Sequence, residues 1–268
     1  MRRPFPAVLC LFLLLALGCT PQPRTENVLD PADPQRPRFI VATYNVNFGM
    51  PRPDLALAAM RSTGADVLCL QETTEQWMDY LKPALRDQYP HVLARQWSGA
   101  GGLAFFSKVP LDEVEFIRPQ AGWFPAWIVN ARTPLARVQI MSVHLHPQLN
   151  EQGSVSLGAY ANTPKTRRQE IEQFHARLRQ NLPTIILGDF NENDAGQAVA
   201  WLKTKGFSDA LSRVDTSTPT WQWQSSIITL HGRFDHVMYS DRLRCLDASV
   251  LKQGASDHLP VVAVFEVN

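Results

Sequence analysis

Short apolar runs that end in polar residues recur along the chain, and amphipathic stretches separate several of them. Residues 39–44 form a β-rich run that stops at Asn45. Pro53 and Asp54 open a helical stretch to Ser62, closed by Gly64. Residues 66–71 read as a buried strand, and residues 74–85 as a helix with Trp77, Tyr80 and Leu81 on one side. Four candidate strands follow in series, at 103–107, 111–117, 126–131 and 137–143. So few residues separate them that antiparallel pairing through the series is expected. Residues 165–179 carry Ile171, Phe174 and Leu178 at spacings of three and four, which predicts a helix. A buried strand at 184–188, a helix at 194–205 that stops at Gly206, and strands at 234–239, 246–251 and 260–267 complete the pattern. Nothing after Arg38 reads as a linker, so residues 39–268 are expected to form one domain. Mixed strands with helices outside them imply an α/β fold of two packed sheets covered by helices.

The N-terminal segment follows a different pattern. After Arg2 and Arg3, residues 7–17 are an unbroken apolar run of eleven, too short to span a bilayer as a helix but suited to a secretory leader. The run ends in Ala16, Leu17, Gly18 and Cys19, which resembles the lipobox of bacterial lipoproteins. That resemblance implies removal of residues 1–18, lipidation of Cys19, export and a membrane anchor. Thr20 carries no Asp retention signal, which favours the outer membrane. A plain secretion leader is the alternative. Residues 19–38 hold five prolines among polar residues and read as an extended tether.

Composition narrows the class. The chain has 268 residues, is 45% hydrophobic and carries a formal net charge of +1, which excludes a disordered chain and a strongly basic nucleic-acid binder. Four cysteines without a CxxC pair exclude a disulfide scaffold and a zinc ribbon. Cys69 lies in an apolar run and reads as a buried free thiol; a bond to Cys245 stays open.

The candidate chemistry sits at strand ends. Asn45, then Asn47, follow the first run, and Gln71 and Glu72 end the second. His144 and His146 follow the strand from Arg137; Gly188, Asp189 and Asn191 follow the strand from Thr184; Ser256, Asp257 and His258 precede the last strand. Ligands of layered α/β folds bind beyond strand ends. Asn, Asp and Glu oxygens are hard ligands suited to Mg²⁺, and the lack of soft ligands argues against zinc. An Asp–Asn pair two residues apart can hold an attacking water, and separated histidines can contact a phosphoryl oxygen or protonate a leaving group. Metal, water-orienting carboxylate and imidazole are the parts that phosphate-ester hydrolysis requires.

In order, these segments resemble the endonuclease/exonuclease/phosphatase superfamily over about residues 39–266. The resemblance rests on Thr43 to Val46, Leu70 to Glu72, Gly102 to Leu111, Ser142 to Leu145, Leu187 to Asn191, Pro219 to Trp221, Arg233 to Val237 and Ser256 to Val261. It implies a four-layer α/β/β/α sandwich with two packed mixed sheets. It also implies that Glu72 is the main metal carboxylate, with Asn45 and Asp257 in the same Mg²⁺ cluster directly or through water; Mn²⁺ is an alternative. Asp189 would orient or deprotonate the attacking water, with Asn191 positioning it. His258 would hold a phosphoryl oxygen, Asp235 would orient that imidazole and keep it charged, and His144 would stabilise the transition state or assist the leaving group. His146 and His236 read as structural. Arg167 and Arg168 read as a solvated helix face beside Glu170 and Glu172.

The expected activity is metal-dependent hydrolysis of phosphodiester bonds, in nucleic acid, a phospholipid head group or a small phosphate ester. A phosphomonoesterase and an inactive surface binding module are the alternatives. No protein partner is implied, and a monomer is expected. The tryptophans read as core residues, with Trp123 and Phe124 the candidates for an exposed rim because Gly122 and Pro125 bracket them.

Overall fold

A computed structural model describes residues 37–134, 136–149, 157–224 and 229–267. The predicted leader, Cys19 and nearly all of the tether lie outside the described residues. Among the described residues no helix is long and apolar enough to cross a membrane.

Two six-stranded mixed sheets stand face to face. The first contains β1 (Phe39–Asn45), β2 (Val67–Gln71), β3 (His91–Arg95), β4 (Leu103–Ser107), β13 (Leu243–Val250) and β14 (Val261–Val267), in the order β13-β14-β1-β2-β4-β3. The second contains β5 (Leu111–Ile117), β6 (Ala126–Arg132), β7 (Arg137–His144), β8 (Thr184–Asp189), β9 (Phe207–Asp209) and β12 (Asp235–Ser240), in the order β5-β6-β7-β8-β12-β9. A separate hairpin pairs β10 (Trp221–Gln224) with β11 (Thr229–Gly232).

Strand alternation builds three apolar layers from these elements. Val41, Val67, Cys69 and Phe105 of the first sheet meet Trp127, Ile140, Ile185, Leu187 and Val237 of the second. The intervening residues face outward: Ala42, Leu68 and Phe106 pack under α1 (Pro53–Ser62) and α2 (Glu75–Leu85). Ile128, Met141 and Ile186 pack under α3 (Leu157–His175) and α4 (Gln197–Thr204). A short α5 (Ala210–Val214) completes the helices. The result is the expected four-layer α/β/β/α sandwich.

Each sheet contains one parallel pair, and these pairs position the chemistry. β1 runs parallel to β2 with Asn45 beside Gln71, and β7 runs parallel to β8 with His144 beside Asp189. β12 runs antiparallel to β8, so its first residue, Asp235, lies beside Asp189. Polar residues far apart in sequence therefore emerge at one rim of the sandwich. Gln71 joins the sheets beneath that rim: it accepts from Thr43 Oγ1 at 3.0 Å and donates to Ser142 Oγ at 3.3 Å. Gly188, at φ 145°, permits the close approach of β7 and β8, because a Cβ there would lie 1.9 Å from the Val143 carbonyl oxygen.

Several expectations are corrected. The strands from 103 to 143 do not form one antiparallel series: β5, β6 and β7 do, whereas β4 belongs to the other sheet and pairs with β2 and β3. The helix predicted at 165–179 starts earlier, at Leu157, runs through Pro164 and ends at His175. Leu178 is buried beyond its end. Cys69 and Cys245 are both buried free thiols, so the bond left open does not form.

Candidate active site

The residues singled out at strand ends converge on one connected cluster. Asn45 Nδ2 donates to Glu72 Oε1 at 2.9 Å and to Asp189 Oδ2 at 3.0 Å, so a single nitrogen bridges the carboxylates of the two sheets. Asn47 donates through its backbone N–H to Asn45 Oδ1 at 3.1 Å and through Nδ2 to Asp257 Oδ1 at 3.0 Å. Phe48 N–H donates to Glu72 Oε2, and Trp221 Nε1 donates to Asp257 Oδ2. His258 and His144 approach Asp189 Oδ2 from two directions, each with Nε2 at 3.5 Å. His258 Nδ1 contacts Asp235 Oδ2 at 2.8 Å, and His144 Nδ1 contacts the Ala100 carbonyl at 3.2 Å. Asn191 donates its N–H to Asp189 Oδ1 and its Nδ2 to the Leu145 carbonyl. All eight residues predicted from sequence are thus brought together.

The local backbone is strained at two of these positions and at the neighbouring Asn47. Asn47, Glu72 and Asn191 adopt φ values of 62°, 61° and 52°. Left-handed conformations of non-glycine residues cost free energy and persist where surrounding bonds enforce them. Here those bonds are the contacts just described.

Burial sets the protonation states. It pushes the carboxyls of Glu72 and Asp189 up from their ordinary range, opposed by the Asn45 and Phe48 donors at Glu72 and by His258 and His144 at Asp189. Burial also disfavours charge on His258, but Asp235 and Asp189 outweigh it and lift the imidazole to about 10. His144 goes the other way: burial lowers it, and Asp189 compensates only in part. At neutral pH His258 is a cation and His144 is neutral. The Nδ1 proton of His144 goes to the Ala100 carbonyl, which can only accept.

Asn47, Trp221, Ser256 and Thr220 complete the cluster without having been assigned roles from sequence. Ser256 Oγ donates to the Asn45 carbonyl and accepts the His258 N–H. Thr220 Oγ1 accepts from the N–H groups of Phe234 and Asp235. Each sits inside or next to a motif, so position alone was the available signal. Arg167 is a correction: it is not part of a solvated face but is 3% exposed, paired through Nε with the equally buried Glu192 at 3.1 Å. Arg168 does lie on the outer face, bonded to Glu172. His236 is enclosed, bonded to Asp209 and the Glu192 carbonyl, in keeping with a structural role. Phe124 is buried rather than exposed, whereas Trp223 on the hairpin is 49% exposed.

Two carboxylates suit a hard cation. Among the described residues, the groups that reach Glu72 and Asp257 by hydrogen bond are neutral N–H and O–H donors, and no hydrogen-bonded cation balances their charge. Mg²⁺ keeps much of its water and needs one or two carboxylates, which this pair supplies. Asp189, Asp235 and His258 also place ligand atoms within 4.8 Å of one another, as do Asp194, Asp209 and His236. In both groups a protonated imidazole already lies between the carboxylates, and Arg233 further pairs with Asp194.

A family model described as the endonuclease/exonuclease/phosphatase family matches residues 42–258. The chain belongs to this family. It is accordingly a metal-dependent hydrolase of phosphate ester bonds. An endonuclease/exonuclease/phosphatase family protein from Bacteroides thetaiotaomicron has a similar structure, with TM-score 0.68 and 17% identity over 87% of this chain and 99% of that chain. D. rerio TDP2, complexed with a single-strand DNA product, gives TM-score 0.66 and 17% identity, covering 86% of this chain and 99% of that one. ANGEL2, a 2′,3′-cyclic phosphatase, in complex with adenosine-2′,3′-vanadate, gives 0.63 and 17%, covering 87% and 96%. At such identities the likeness is one of fold. No curated protein matches the sequence significantly.

Proposed function

We propose that the chain is a Mg²⁺-dependent phosphodiesterase in which water attacks the phosphorus in line with the leaving oxygen. The observation that carries this reading is the Asn45 amide, which ties Glu72 of one sheet to Asp189 of the other, with two imidazoles on the same Asp189 oxygen.

Glu72 and Asp257 would hold the cation. As placed, Asn45 turns its amino group to the carboxylates and so reaches the cation through Glu72 or through water. The bound cation supplies charge stabilisation to the phosphate. The remaining roles belong to this chain's own groups. Asp189 accepts the proton of the attacking water; its burial makes it a stronger base than an exposed carboxylate. Asn191 commits its amino group to Leu145, which leaves its side-chain oxygen free to orient that water. His258, kept cationic by Asp235, donates from Nε2 to a phosphoryl oxygen. His144 hydrogen-bonds the reacting phosphate or the leaving oxygen once protonated at Nε2, a state that burial resists and an anionic substrate favours.

The substrate is nucleic acid, a phospholipid head group or a small phosphate ester. With residues 1–18 removed, 24 basic residues face 25 acidic ones, a balance that weighs against tight binding of long nucleic acid. Export with a lipid anchor at Cys19 is part of the same proposal, and unchanged maturation in globomycin would remove the anchor from it. Purified protein with Mg²⁺ or with EDTA, offered bis(p-nitrophenyl) phosphate and p-nitrophenyl phosphate, tests the activity. Chelator-sensitive diester turnover is expected. Monoester turnover alone would point to a phosphomonoesterase, and metal binding without turnover on a broad ester panel to a binding module.

A further inference from the structure

We propose that the segment from Arg118 to Pro125 is a clamp on the His144 imidazole, with Phe124 as the positioning residue. The inference rests on the reading of His144 given above and adds a residue outside the motifs that define the site.

Phe124 is 6% exposed and stacks on His144, with ring centroids 4.3 Å apart and planes 23° from parallel. Among the described residues one hydrogen bond holds the His144 ring from behind, Nδ1 to Ala100, and it leaves the ring free to tilt about that line. A flat apolar face against the imidazole removes that freedom and keeps Nε2 directed at Asp189, 3.5 Å away, and Glu72, 4.0 Å away. The stack also keeps water off one face of the ring.

The clamp is anchored at several points. Gln173 of α3 donates to the Arg118 carbonyl at 2.8 Å and accepts the Gln120 N–H at 2.9 Å. Gly122, at φ 71°, rests on Glu170 of the same helix so closely that a Cβ would lie 1.8 Å from Glu170 Oε1. Glu170 is fully buried, and its other oxygen accepts the His146 N–H at 2.9 Å. One side chain therefore ties the clamp to the strand exit that bears His144. Trp123 stands edge-on to His146, with centroids 4.4 Å apart. Trp97 Nε1 donates to the Trp123 carbonyl at 2.9 Å. On the far side Gly101 makes room, since a Cβ there would lie 2.8 Å from Phe124 Cδ1. Glycine at 101 and 122 is what allows the clamp to close.

Phe124→Leu keeps apolar volume and loses the flat face; Phe124→Tyr keeps the ring. Small misplacements of a reacting group cost up to roughly a hundredfold in rate. Phe124→Leu is expected to lower kcat about 10-fold or more with KM nearly unchanged and the melting temperature lowered by a few degrees at most, and Phe124→Tyr to retain most of the wild-type kcat. In a His144→Ala background Phe124→Leu is expected to add nothing, because coupled residues are non-additive. In the NMR spectrum the His144 Cε1–H signal, assigned by its loss in His144→Gln, is expected to move downfield in Phe124→Leu as the ring current disappears. Trp97→Phe, which removes the bond to Trp123 and part of the packing on Phe116, is expected to lower kcat in the same direction and serves if Phe124→Leu does not fold. Additive losses in the double variant, or an unmoved His144 signal, would overturn the clamp. Wild-type protein without turnover would instead overturn the proposed function, and the NMR result would still decide the clamp.

Discussion

Asp235→Asn removes the charge beside His258, and with it a smaller repulsion that raises Asp189. The variant side chain is the same shape: its carbonyl oxygen accepts the Nδ1 proton of the charged ring, now held at 2.8 Å, and its amino group can donate to Nδ1 of the neutral ring, which then keeps its proton on Nε2. What disappears is the principal interaction that offsets burial and lifts the imidazole to about 10. Asp189, with an oxygen 3.5 Å from Nε2, and more weakly Asp257 then favour the cation. The pKa of His258 falls, and at mildly alkaline pH the ring becomes neutral. A hydrogen bond from a charged donor is worth roughly 1.5–3 kcal/mol and one from a neutral donor roughly 0.5–1.5 kcal/mol. The difference, about 1–2 kcal/mol, converts to a loss of about 5- to 30-fold in kcat/KM. The assay is kcat/KM on a chromogenic diester with saturating Mg²⁺ between about pH 6 and about pH 9. Wild type is expected to hold its rate across that range as far as His258 is concerned. The variant is expected to lose rate as pH rises and to recover part of it toward pH 6. A variant with the wild-type profile throughout would refute the view that Asp235 keeps His258 charged.

Three further outcomes follow from other parts of the molecule. Arg167→Met leaves the Glu192 charge buried with only the Val199 N–H among the described residues to offset it and is expected to cost about 3–5 kcal/mol in urea unfolding, with the double variant Arg167→Met, Glu192→Gln, which keeps an acceptor for Val199, regaining part of it. Folded-state values are raised at Glu170, by burial, to about 8, and at His236, where Asp209 overcomes burial, to about 9. Raised values stabilise fully below the unfolded ones, so stability is expected to fall as pH rises from the ordinary carboxylate range to about 8 for Glu170 and from the ordinary imidazole range to about 9 for His236; thermal unfolding of Glu170→Gln should show a shallower fall up to about pH 8. Gly188→Ala would place a methyl against the Val143 carbonyl, at the pair next to His144 and Asp189, and is expected to lower stability by about 3 kcal/mol and activity with it, as calorimetry and turnover can show.

The buried strands were legible because continuous apolar runs that stop at polar residues have few other readings. The polar ends of β1, β2, β7 and β8 were legible for the same reason, and they converge because parallel pairs end at the same rim. The sheet to which a strand belongs was not legible. β4 and β5 are neighbours in sequence, and only tertiary packing separates them. β3, at a partly buried edge, and the three-residue β9 have too little pattern to stand out. Arg167 looked solvated because its own helix carries acidic neighbours, whereas its partner, Glu192, comes from the segment after β8. Phe124 looked like a rim residue because the flanking Gly122 and Pro125 mark a loop without saying which way that loop folds. Contacts between loops from distant strands leave no periodic trace.

The most direct test is turnover of a generic phosphodiester with Mg²⁺ by wild type and by Asp189→Asn, which keeps the shape of the residue where the two sheets' polar ends meet. The prediction is chelator-sensitive turnover in wild type and a loss of roughly 10²- to 10⁴-fold in the variant. Equal rates in the two proteins would contradict it.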